Sequence, residues 1–471
     1  MADARPDIVV VLVDQMRRDA LGFCGDPNVR TPVLDRMARG GLVFDAMCST
    51  FPCCVPFRFS MMTGQYAHSR MVPALGYRMS PAERTLGEAV QAAGYRTGYV
   101  GKWHLHSLYG TVGGQSLAQA NRRPIPASHR RGFDHWRGFE LRNDYHDTWI
   151  FEDDASQPVR LEGYQTDALF ALARDWVAAP RDDPGFLILS VEAPHPPFDA
   201  PEAAVAAVAA RGPYAPRPNV DVAAISAFPP EWHRMLGDGR RMEDVPPEER
   251  DAIFTRSMQT YCAMIEVIDA NMGALLSAVK SQPNGRETVV LFLSDHGELG
   301  GSHGLLGKAE PYEESVGVPF LAWATDPALV PPGRRCGAPV GTEDLFPTLT
   351  GLAGGHGPAA PGRDLSGLIA GGAEPEDDAV LLEFTAEVRP GRRYHDQTWR
   401  GIRTRHSKYV VIGNDDGVRP WMLFDLAADP CEQRNLVDAP AHAPARRDLH
   451  HRLAALLRRT GDDFPITLPG G

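Results

Sequence analysis

Four short apolar runs, each ending abruptly in polar residues, constrain the fold of this chain more than any other feature. They are continuous rather than alternating, and they cover residues 8–13, 97–100, 186–191 and 288–294. Such runs are typical of strands buried on both faces. Helical patterns separate them, most clearly at 85–93 and 261–279. Alternation of this kind predicts an α/β fold with a central, mostly parallel sheet sandwiched by helices.

Polar groups follow every one of these runs. The residues at the four exits are Asp14 and Gln15, then Lys102 and His104, then His195, and finally Asp295 and His296. Ligands bind at the carboxyl ends of the strands in parallel sheets. We therefore expect these side chains to meet at one edge of the sheet.

A fifth polar group lies in the segment Cys-Val-Pro-Phe-Arg, which begins at Cys54. Pro56 suits the first turn of a helix, where a missing N–H costs nothing. Gly64 can end that helix in a left-handed cap. Cys54 would then lie at the positive end of a helix dipole, beside the cation Arg58, which favours an anionic nucleophile or ligand. A small buried core thiol is the alternative reading of Cys54.

The carboxyl-terminal part of the chain has a different pattern. A segment rich in Gly, Pro and Ala runs through residues 351–376, and short strand-like runs follow at 379–384, 399–403, 409–412 and 421–424. A last helix carries a stripe of leucines and ends at Gly461. We predict a catalytic domain over residues 1–370 and a smaller α+β subdomain with a short antiparallel sheet over 371–471.

Composition excludes several partners. The net charge of -12 over 471 residues argues against nucleic acid, because phosphate binding needs a basic surface. No uninterrupted apolar run approaches the roughly 18 residues that span a bilayer, so we expect no membrane partner. The amino terminus lacks the form of a signal peptide, and seven irregularly spaced cysteines suit reduced thiols. These features predict a cytoplasmic protein, and they leave a monomer and a homo-oligomer both open.

The exits of the first and last runs predict a metal site. Carboxylate and amide oxygens from Asp14, Gln15 and Asp295 suit a hard divalent cation, with Ca²⁺ first. The imidazole of His296 also admits Mn²⁺ or Zn²⁺.

Lys102 and His104, two residues apart, would reach the same side of an extended segment. There a cation can hold an anion while an imidazole moves a proton near neutral pH.

These motifs resemble the type I sulfatases, the formylglycine-dependent family of the alkaline phosphatase superfamily. The resemblance is carried by the Cys-x-Pro-x-Arg segment, by Gly-Lys-Trp-His-Leu at 101–105 and by Gly-Leu-Leu-Gly-Lys at 304–308. It implies the alkaline-phosphatase-like fold and hydrolysis of a sulfate monoester. It also implies that a formylglycine-generating enzyme oxidises Cys54 to formylglycine, whose hydrate is the nucleophile.

The same resemblance assigns roles to the remaining candidates. Cys54, as formylglycine, joins Asp14, Gln15, Asp295 and His296 around one divalent cation. Lys102, Lys308 and His195 hold the sulfate, and His195 protonates the leaving oxygen. His104 removes a proton from the nucleophile to release sulfate, and Arg58 completes the catalytic set. The substrate would be a small-molecule or carbohydrate sulfate ester.

Three departures from the family pattern keep alternatives open. Gln15 and His296 stand where many sulfatases have Asp and Asn, which resembles the choline sulfatase and phosphonate monoester hydrolase branches. Gly317 replaces an arginine usual in the segment 312–319, and Phe57 replaces a smaller residue. One alternative is a phosphonate monoester hydrolase or phosphodiesterase with the same nucleophile. Another is an inactive homologue that acts by binding.

Overall fold

The protein is described from a computed structural model. The described residues are 5–106, 119, 122–225, 228, 232, 240–355, 357, 359–376, 379–389 and 392–466. Within them, two separate sheets and the helices around them account for the buried core.

The large sheet contains ten strands in the described part of the chain. They are β1 (Asp7–Val13), β2 (Leu42–Phe44), β3 (Arg96–Lys102), β4 (His135–Phe139), β5 (Trp149–Glu152), β6 (Val159–Arg160), β7 (Gly185–Ser190), β8 (Thr288–Ser294), β9 (Phe320–Ala324) and β10 (Arg334–Cys336). Their order across the sheet is β10-β2-β9-β8-β1-β7-β3-β4-β5-β6. The central strands β8, β1, β7, β3 and β4 are parallel to one another, whereas β9, β5 and β6 pair antiparallel.

Helices cover both faces of this sheet. They are α1 (Pro32–Arg39), α2 (Cys54–Thr63), α3 (Leu86–Ala92), α4 (Gln165–Ala178), α5 (Glu202–Ala209), α6 (Pro247–Lys280), α7 (Glu313–Val316), α8 (Leu345–Leu352) and α9 (Ser366–Ile369), and one further helix, α10 (Ala443–Thr460), packs on the second sheet. In β1, Ile8, Val10 and Leu12 pack into one core while the residues between them pack into the other. This two-sided burial explains why β1 is apolar throughout.

The second sheet is antiparallel and has the order β11 (Ala379–Phe384), β12 (Thr398–Thr404), β13 (Ser407–Asn414) and β14 (Gly417–Asp425). One of its faces, including Leu382 and Trp399, joins a core of the large sheet. The opposite face, including Leu381 and Ile402, packs with the leucine stripe of α10. The α/β fold with a smaller antiparallel sheet is thus confirmed, while the domain boundary near residue 370 stays a prediction.

The predicted elements are present with shifted ends. The four apolar runs form β1, β3, β7 and β8, and the four later runs form β11 to β14. The helix predicted at 261–279 is the second half of α6, which begins at Pro247 because a proline and the acidic residues Glu248 and Glu249 suit a first helical turn. Strand β4 was not predicted, since the sequence His-Trp-Arg-Gly-Phe has no apolar run.

Helix α6 contains a window of 18 residues with the length and composition to cross a membrane. Half of that window is buried inside the protein, where Met258, Ile265 and Met272 pack into the core. The apolar composition of α6 therefore fits a helix that covers one face of the large sheet.

Candidate active site

Helix α2 presents Cys54 at its first turn. Cys53 is the N-cap, Cys54 is the first helical residue, and Pro56 is tolerated because it lies within the first turn. Gly64 ends the helix with φ of 70°, and its N–H donates to the carbonyl of Ser60. The helix is buried along its whole length. Its amino-terminal end points the partial positive charge of the helix at Cys54, as the sequence predicted.

The thiol of Cys54 is fully buried among charged side chains. Its Sγ lies 3.1 Å from Nε2 of His296 and 3.7 Å from Oδ1 of Asp14. The ammonium of Lys308 donates to the same sulfur at 3.3 Å. Burial, followed by the charge of Asp14, raises the pKa of the Cys54 thiol to about 11. The unmodified thiol is therefore neutral at physiological pH.

Asp14 and Asp295 come together because β1 and β8 are parallel neighbours that end in register, with Val13 opposite Ser294. Asp14, Cys54, Asp295 and His296 each direct one ligand atom into a group whose atoms lie within 4.8 Å of one another. All four side chains are buried. The residues that follow β1 and β8 therefore meet at one edge of the sheet, as the sequence predicted.

The donor atoms of this group suit a cation. Nδ1 of His296 lies 3.1 Å from the carbonyl of Gly297, so Nδ1 carries the proton and Nε2 keeps a lone pair. That lone pair lies 3.5 Å from a carboxylate oxygen of Asp14 and 3.5 Å from one of Asp295. Burial, with the charge of Lys308, lowers the pKa of His296 to about 4, so the ring is neutral. Facing lone pairs without a shared proton fit a bound divalent metal.

The sequence predicts Gln15 as a metal ligand, but its side-chain amide is engaged in hydrogen bonds with Lys308 and Glu298. Its Oε1 accepts a hydrogen bond of 2.8 Å from Nζ of Lys308, and its Nε2 donates to the carboxylate of Glu298. Its backbone N–H donates to Oδ1 of Asp295 at 3.1 Å, and its φ is 68°. Gln15 therefore lies in the site, and it links the candidate metal ligand Asp295 to Lys308.

Arg58 lies between the two carboxylates. Its Nη2 is 3.0 Å from Asp295 and 3.4 Å from Asp14, and its Nη1 donates to Ser190 and to the carbonyl of Lys102. The sequence placed this cation beside the thiol. The contacts show that Arg58 also neutralises the two carboxylates and ties α2 to the ends of four strands, a role that suits a bidentate, permanently charged group.

Lys102 reaches the same cluster from β3. Its Nζ lies 2.5 Å from Oδ2 of Asp14, and its side chain is fully buried. Burial alone would raise the pKa of Asp14, but the charges of Lys102 and Lys308 hold it well below its ordinary value. The preceding Gly101 has φ of 103°, and a Cβ there would lie 1.9 Å from the carbonyl of Ser190. Only glycine allows β3 to approach β7 this closely.

The two predicted acid–base histidines lie within the same field of charge. Burial, followed by the charges of Lys102 and Arg58, lowers the pKa of His104 well below its ordinary value. Burial and then Lys308 do the same for the pKa of His195. Both imidazoles are therefore neutral in the free protein. His104 also has a left-handed backbone with φ of 60°, the kind of strain that occurs at functional sites.

Two supporting residues were missed from the sequence. Glu298 is fully buried, accepts the Gln15 amide and accepts the N–H groups of Gly300 and Gly307 at 2.8 and 2.7 Å. Ser190 accepts from Arg58 at 2.8 Å. Glu298 follows His296 by two residues, which is the one signal that could have suggested it.

The position of the family arginine that Gly317 replaces is not empty. A Cβ at Gly317 would lie 3.0 Å from Nη1 of Arg18, whose Nη2 donates to Glu313 at 2.8 Å. Arg403 also approaches Glu313, at 3.3 Å. A guanidinium from another segment therefore occupies this region and supplies a charge contact to α7.

Comparisons with known proteins agree with this geometry. The family model for Sulfatase matches residues 6–355, and that for N-sulphoglucosamine sulphohydrolase, C-terminal, matches residues 301–459. The chain is 30% identical over 468 residues to an ulvan-active sulfatase of Formosa agariphila, covering 98% of this chain and 82% of that protein.

Two solved structures share the fold at 22% identity. One, crystallised with its substrate D-glucosamine-2-N,6-O-disulfate, gives a TM-score of 0.80 and covers 98% of this chain and 99% of its own. The other, the phosphonate monoester hydrolase of Agrobacterium radiobacter, gives 0.71 and covers 97% and 96%. With the family model spanning most of the chain, the protein belongs to the sulfatase family of the alkaline phosphatase superfamily and is a sulfuric ester hydrolase.

Proposed function

We propose that the chain hydrolyses a sulfate monoester to an alcohol and inorganic sulfate, with a formylglycine hydrate made from Cys54 as nucleophile. The observation that carries this proposal is the position of the Cys54 side chain. It lies at the amino-terminal end of α2, within 3.1 Å of Nε2 of His296 and 3.3 Å of Nζ of Lys308. The proposal also explains why a thiol with a pKa of about 11 occupies this position, since the thiol itself would be a poor nucleophile.

The proposal includes one divalent cation, with Ca²⁺ first and Mn²⁺ or Zn²⁺ as alternatives. Asp14, Asp295, His296 and residue 54 would hold it, with Gln15 as a fifth candidate. When bound, the cation would act as a Lewis acid toward the sulfate oxygens and lower the pKa of the nucleophile. The fully buried carboxylates of Asp14 and Asp295 suit Ca²⁺, and the neutral ring of His296 suits the alternatives.

The chain's own cations would neutralise the transferring group. Lys308 lies 3.3 Å from the sulfur of Cys54, and Lys102 approaches Asp14, so two ammonium groups flank the nucleophile. Developing negative charge in the transition state is stabilised by such fixed cations in a buried site. His195, neutral in the free protein, would bind the sulfate and give a proton to the leaving alcohol oxygen once it has gained one.

His104 would complete the cycle as a base. Burial, followed by the charges of Lys102 and Arg58, holds the pKa of His104 low. The ring is therefore neutral and able to accept a proton from the nucleophile at residue 54. Loss of that proton would release sulfate by cleavage of the bond between carbon and the sulfate oxygen. Water would then not need to attack sulfur a second time.

Carbohydrate sulfates are the substrate class that we propose first. The Formosa agariphila relative is named for its activity on ulvan, and one fold neighbour was crystallised with a disulfated glucosamine as its substrate. Of the tryptophans whose rings could stack on a sugar, Trp136, Trp232 and Trp399 are fully buried in the core, whereas Trp149 is half-buried. Recognition of the alcohol would therefore not use the three buried rings.

Hydrolysis of phosphonate monoesters or phosphodiesters is the second candidate. Gln15 and His296 are the two residues by which the sequence resembles the phosphonate monoester hydrolase branch. A phosphonate monoester hydrolase also shares the fold. One cationic pocket for a tetrahedral anion can serve both kinds of ester.

Turnover of a matched ester panel tests the proposal. Metal-loaded protein, co-expressed with a formylglycine-generating enzyme, is assayed on 4-nitrophenyl sulfate, 4-nitrophenyl phenylphosphonate, bis-4-nitrophenyl phosphate and a set of monosaccharide sulfates. We expect the highest kcat/KM on a sulfate ester. A higher kcat/KM on the phosphonate or diester would support the second candidate. Absence of turnover on every ester, in protein whose metal content is verified, would support an inactive binding homologue.

A further inference from the structure

A fifth strand also ends at the edge of the sheet that carries the site. Strand β4 is parallel to β3, with Phe139 opposite Lys102 in the register, and the N–H of Trp103 donates to the carbonyl of Phe139 at 2.8 Å. The residues after Phe139 therefore leave the sheet beside Lys102 and His104. We call residues 140–143 the β4 exit loop.

Two buried carboxylates tie the β4 exit loop to its neighbours. Glu140, at the start of the loop, is 1% exposed and accepts the N–H of His106 at 3.0 and 3.2 Å. Glu192, which follows β7, is fully buried and accepts the N–H groups of Arg142 at 2.7 Å and Asn143 at 3.0 Å. The side-chain amide of Gln165 completes the shell of Glu192 at 2.9 Å.

Glu192 also contacts the segment that carries His195. The N–H of His195 donates to the carbonyl of Glu192 at 2.9 Å, and the hydroxyl of Tyr145 donates to the same carbonyl at 3.2 Å. One residue thus holds the turn around His195 through its backbone and the β4 exit loop through its carboxylate. Three N–H donors reach the carboxylate oxygens of Glu192 at 2.7 to 3.0 Å, so this link is rigid.

The side chain of Asn143 ends in a buried acceptor for which the described residues offer no donor. Its φ of 50° is left-handed, and its side-chain Oδ1 is buried without a hydrogen-bond partner among the residues that the structure describes. A buried acceptor without a donor is costly, and native proteins seldom keep one without a reason. A hydroxyl group on a bound ligand is a donor of suitable chemistry.

We propose that Glu192 is a positioning residue that holds Arg142 and Asn143 on the alcohol side of the sulfate pocket, where Asn143 accepts a hydrogen bond from a hydroxyl of the substrate. This inference rests on the proposed function and narrows it to alcohols that carry further hydroxyl groups, as carbohydrates do. His195 and the β4 exit loop share Glu192. One residue therefore positions both the imidazole that would protonate the leaving oxygen and the Asn143 side chain that would bind a substrate hydroxyl.

Hydrogen exchange tests the positioning role without turnover. In Glu192→Gln we expect the amides of Arg142 and Asn143 to exchange about tenfold faster than in the wild type, because one carboxylate oxygen is replaced by a donor. The matched control is Glu152→Gln, whose glutamate pairs with Arg137 in the middle of β4 and whose side chain is 40% exposed. Unchanged exchange at Arg142 and Asn143 in Glu192→Gln would overturn the positioning role.

Kinetics tests the recognition role. Asn143→Gly removes the side chain and keeps the positive φ without strain. We expect kcat/KM for the best monosaccharide sulfate to fall about tenfold, and that for 4-nitrophenyl sulfate to change less than about twofold. Glu192→Gln should shift the same ratio, and the double variant should show less than the product of the two effects. Equal losses on both substrates would overturn the inference, while loss of sulfate turnover in the wild type would count against the proposed function instead.

Discussion

Two groups of buried carboxylates and imidazole in this protein could each hold a metal ion by composition. One is the catalytic group of Asp14, Cys54, Asp295 and His296. The other, which we call the His68 group, contains His68, Glu383 and Asp462, and it links the region after α2 to the second sheet and the residues after α10. Both have ligand atoms within 4.8 Å of one another, so distance alone does not separate them.

Their hydrogen bonds do separate them. In the His68 group, Nδ1 of His68 lies 2.6 Å from Glu383 and Nε2 lies 3.1 Å from the carbonyl of Thr460. Both ring nitrogens therefore face acceptors, which suits a doubly protonated ring. Arg400 approaches Asp462 with two nitrogens. The two ring N–H groups donate to Glu383 and to the carbonyl of Thr460, and the guanidinium of Arg400 donates to Asp462. The ring of His68 therefore has no lone pair left for a metal.

In the catalytic group the lone pair of His296 faces carboxylate oxygens instead. Two of its cations, Lys102 and Arg58, approach Oδ2 of Asp14, while Oδ1 of Asp14 faces the ring of His296 and the thiol. The direction of each proton, more than the kind of residue, therefore distinguishes a candidate metal site from a structural ion network.

The largest effect is expected from the two adjacent cysteines. Cys54→Ala removes the nucleophile, so kcat/KM for any sulfate ester should fall by at least about 10³-fold. Cys53→Ala is the matched control, because Cys53 is a buried N-cap whose side chain makes no cap hydrogen bond. We expect its kcat/KM to stay within about threefold of the wild type. Similar losses in both variants would show that packing at α2, rather than chemistry at residue 54, is being measured.

Metal content should differ between the two groups. We expect one tightly bound divalent ion per chain, measured by elemental analysis after dialysis. Asp295→Asn should weaken its affinity by at least about 100-fold, because a charged ligand is lost. Glu383→Gln in the His68 group should leave the metal content unchanged. A second ion that disappears in Glu383→Gln would contradict the distinction drawn from proton directions.

Two buried arginines allow a third comparison. Arg58 bridges Asp14 and Asp295, and Arg400 pairs with Asp462 while donating to the carbonyls of Phe384 and Trp399. Arg58→Lys should lower kcat/KM by about 10²-fold, since an ammonium cannot reproduce the planar bridge. Arg400→Lys should leave kcat/KM within about threefold and lower the free energy of unfolding by about 2 kcal/mol. Chemical denaturation and steady-state kinetics measure both, and an inverted pattern would exchange the roles assigned to the two groups.

The smallest effect concerns pH. Burial alone would lower the pKa of His68, but the hydrogen bond and charge of Glu383 raise it above its ordinary value of 6.5. The charged ring therefore stabilises the fold below pH 6.5, and this contribution is lost as pH rises through the raised pKa. The free energy of unfolding of the wild type minus that of His68→Gln should shrink by about 1 kcal/mol between pH 6 and pH 9. A difference that grows with pH would contradict the charged state assigned to His68.

Much of the metal side was predictable from sequence. Asp14, Asp295 and His296 follow uninterrupted apolar runs, and those runs fix both the strands and the edge at which they end. The cap at Gly64 and the position of Cys54 followed from local helix rules in the same way.

The alcohol side was not predictable by these means. Strand β4 lacks an apolar run, so its exit loop had no periodic signal. Glu192 accepts backbone N–H groups from the β4 exit loop, and Glu298 accepts the side-chain amide of Gln15, so each has a partner that is distant in the chain. Any acidic residue near a strand end has the same local appearance. Such contacts depend on tertiary structure alone, and sequence patterns carry no record of them.

The proposed chemistry requires that residue 54 reacts as an oxidised cysteine beside a single cation. Mass spectrometry of the peptide that contains Cys54, taken from protein that turns over a sulfate ester, examines this requirement. We expect the mass in which a carbonyl oxygen replaces the thiol, in a fraction that scales with specific activity across preparations. An unmodified Cys54 thiol in fully active protein would refute the formylglycine mechanism.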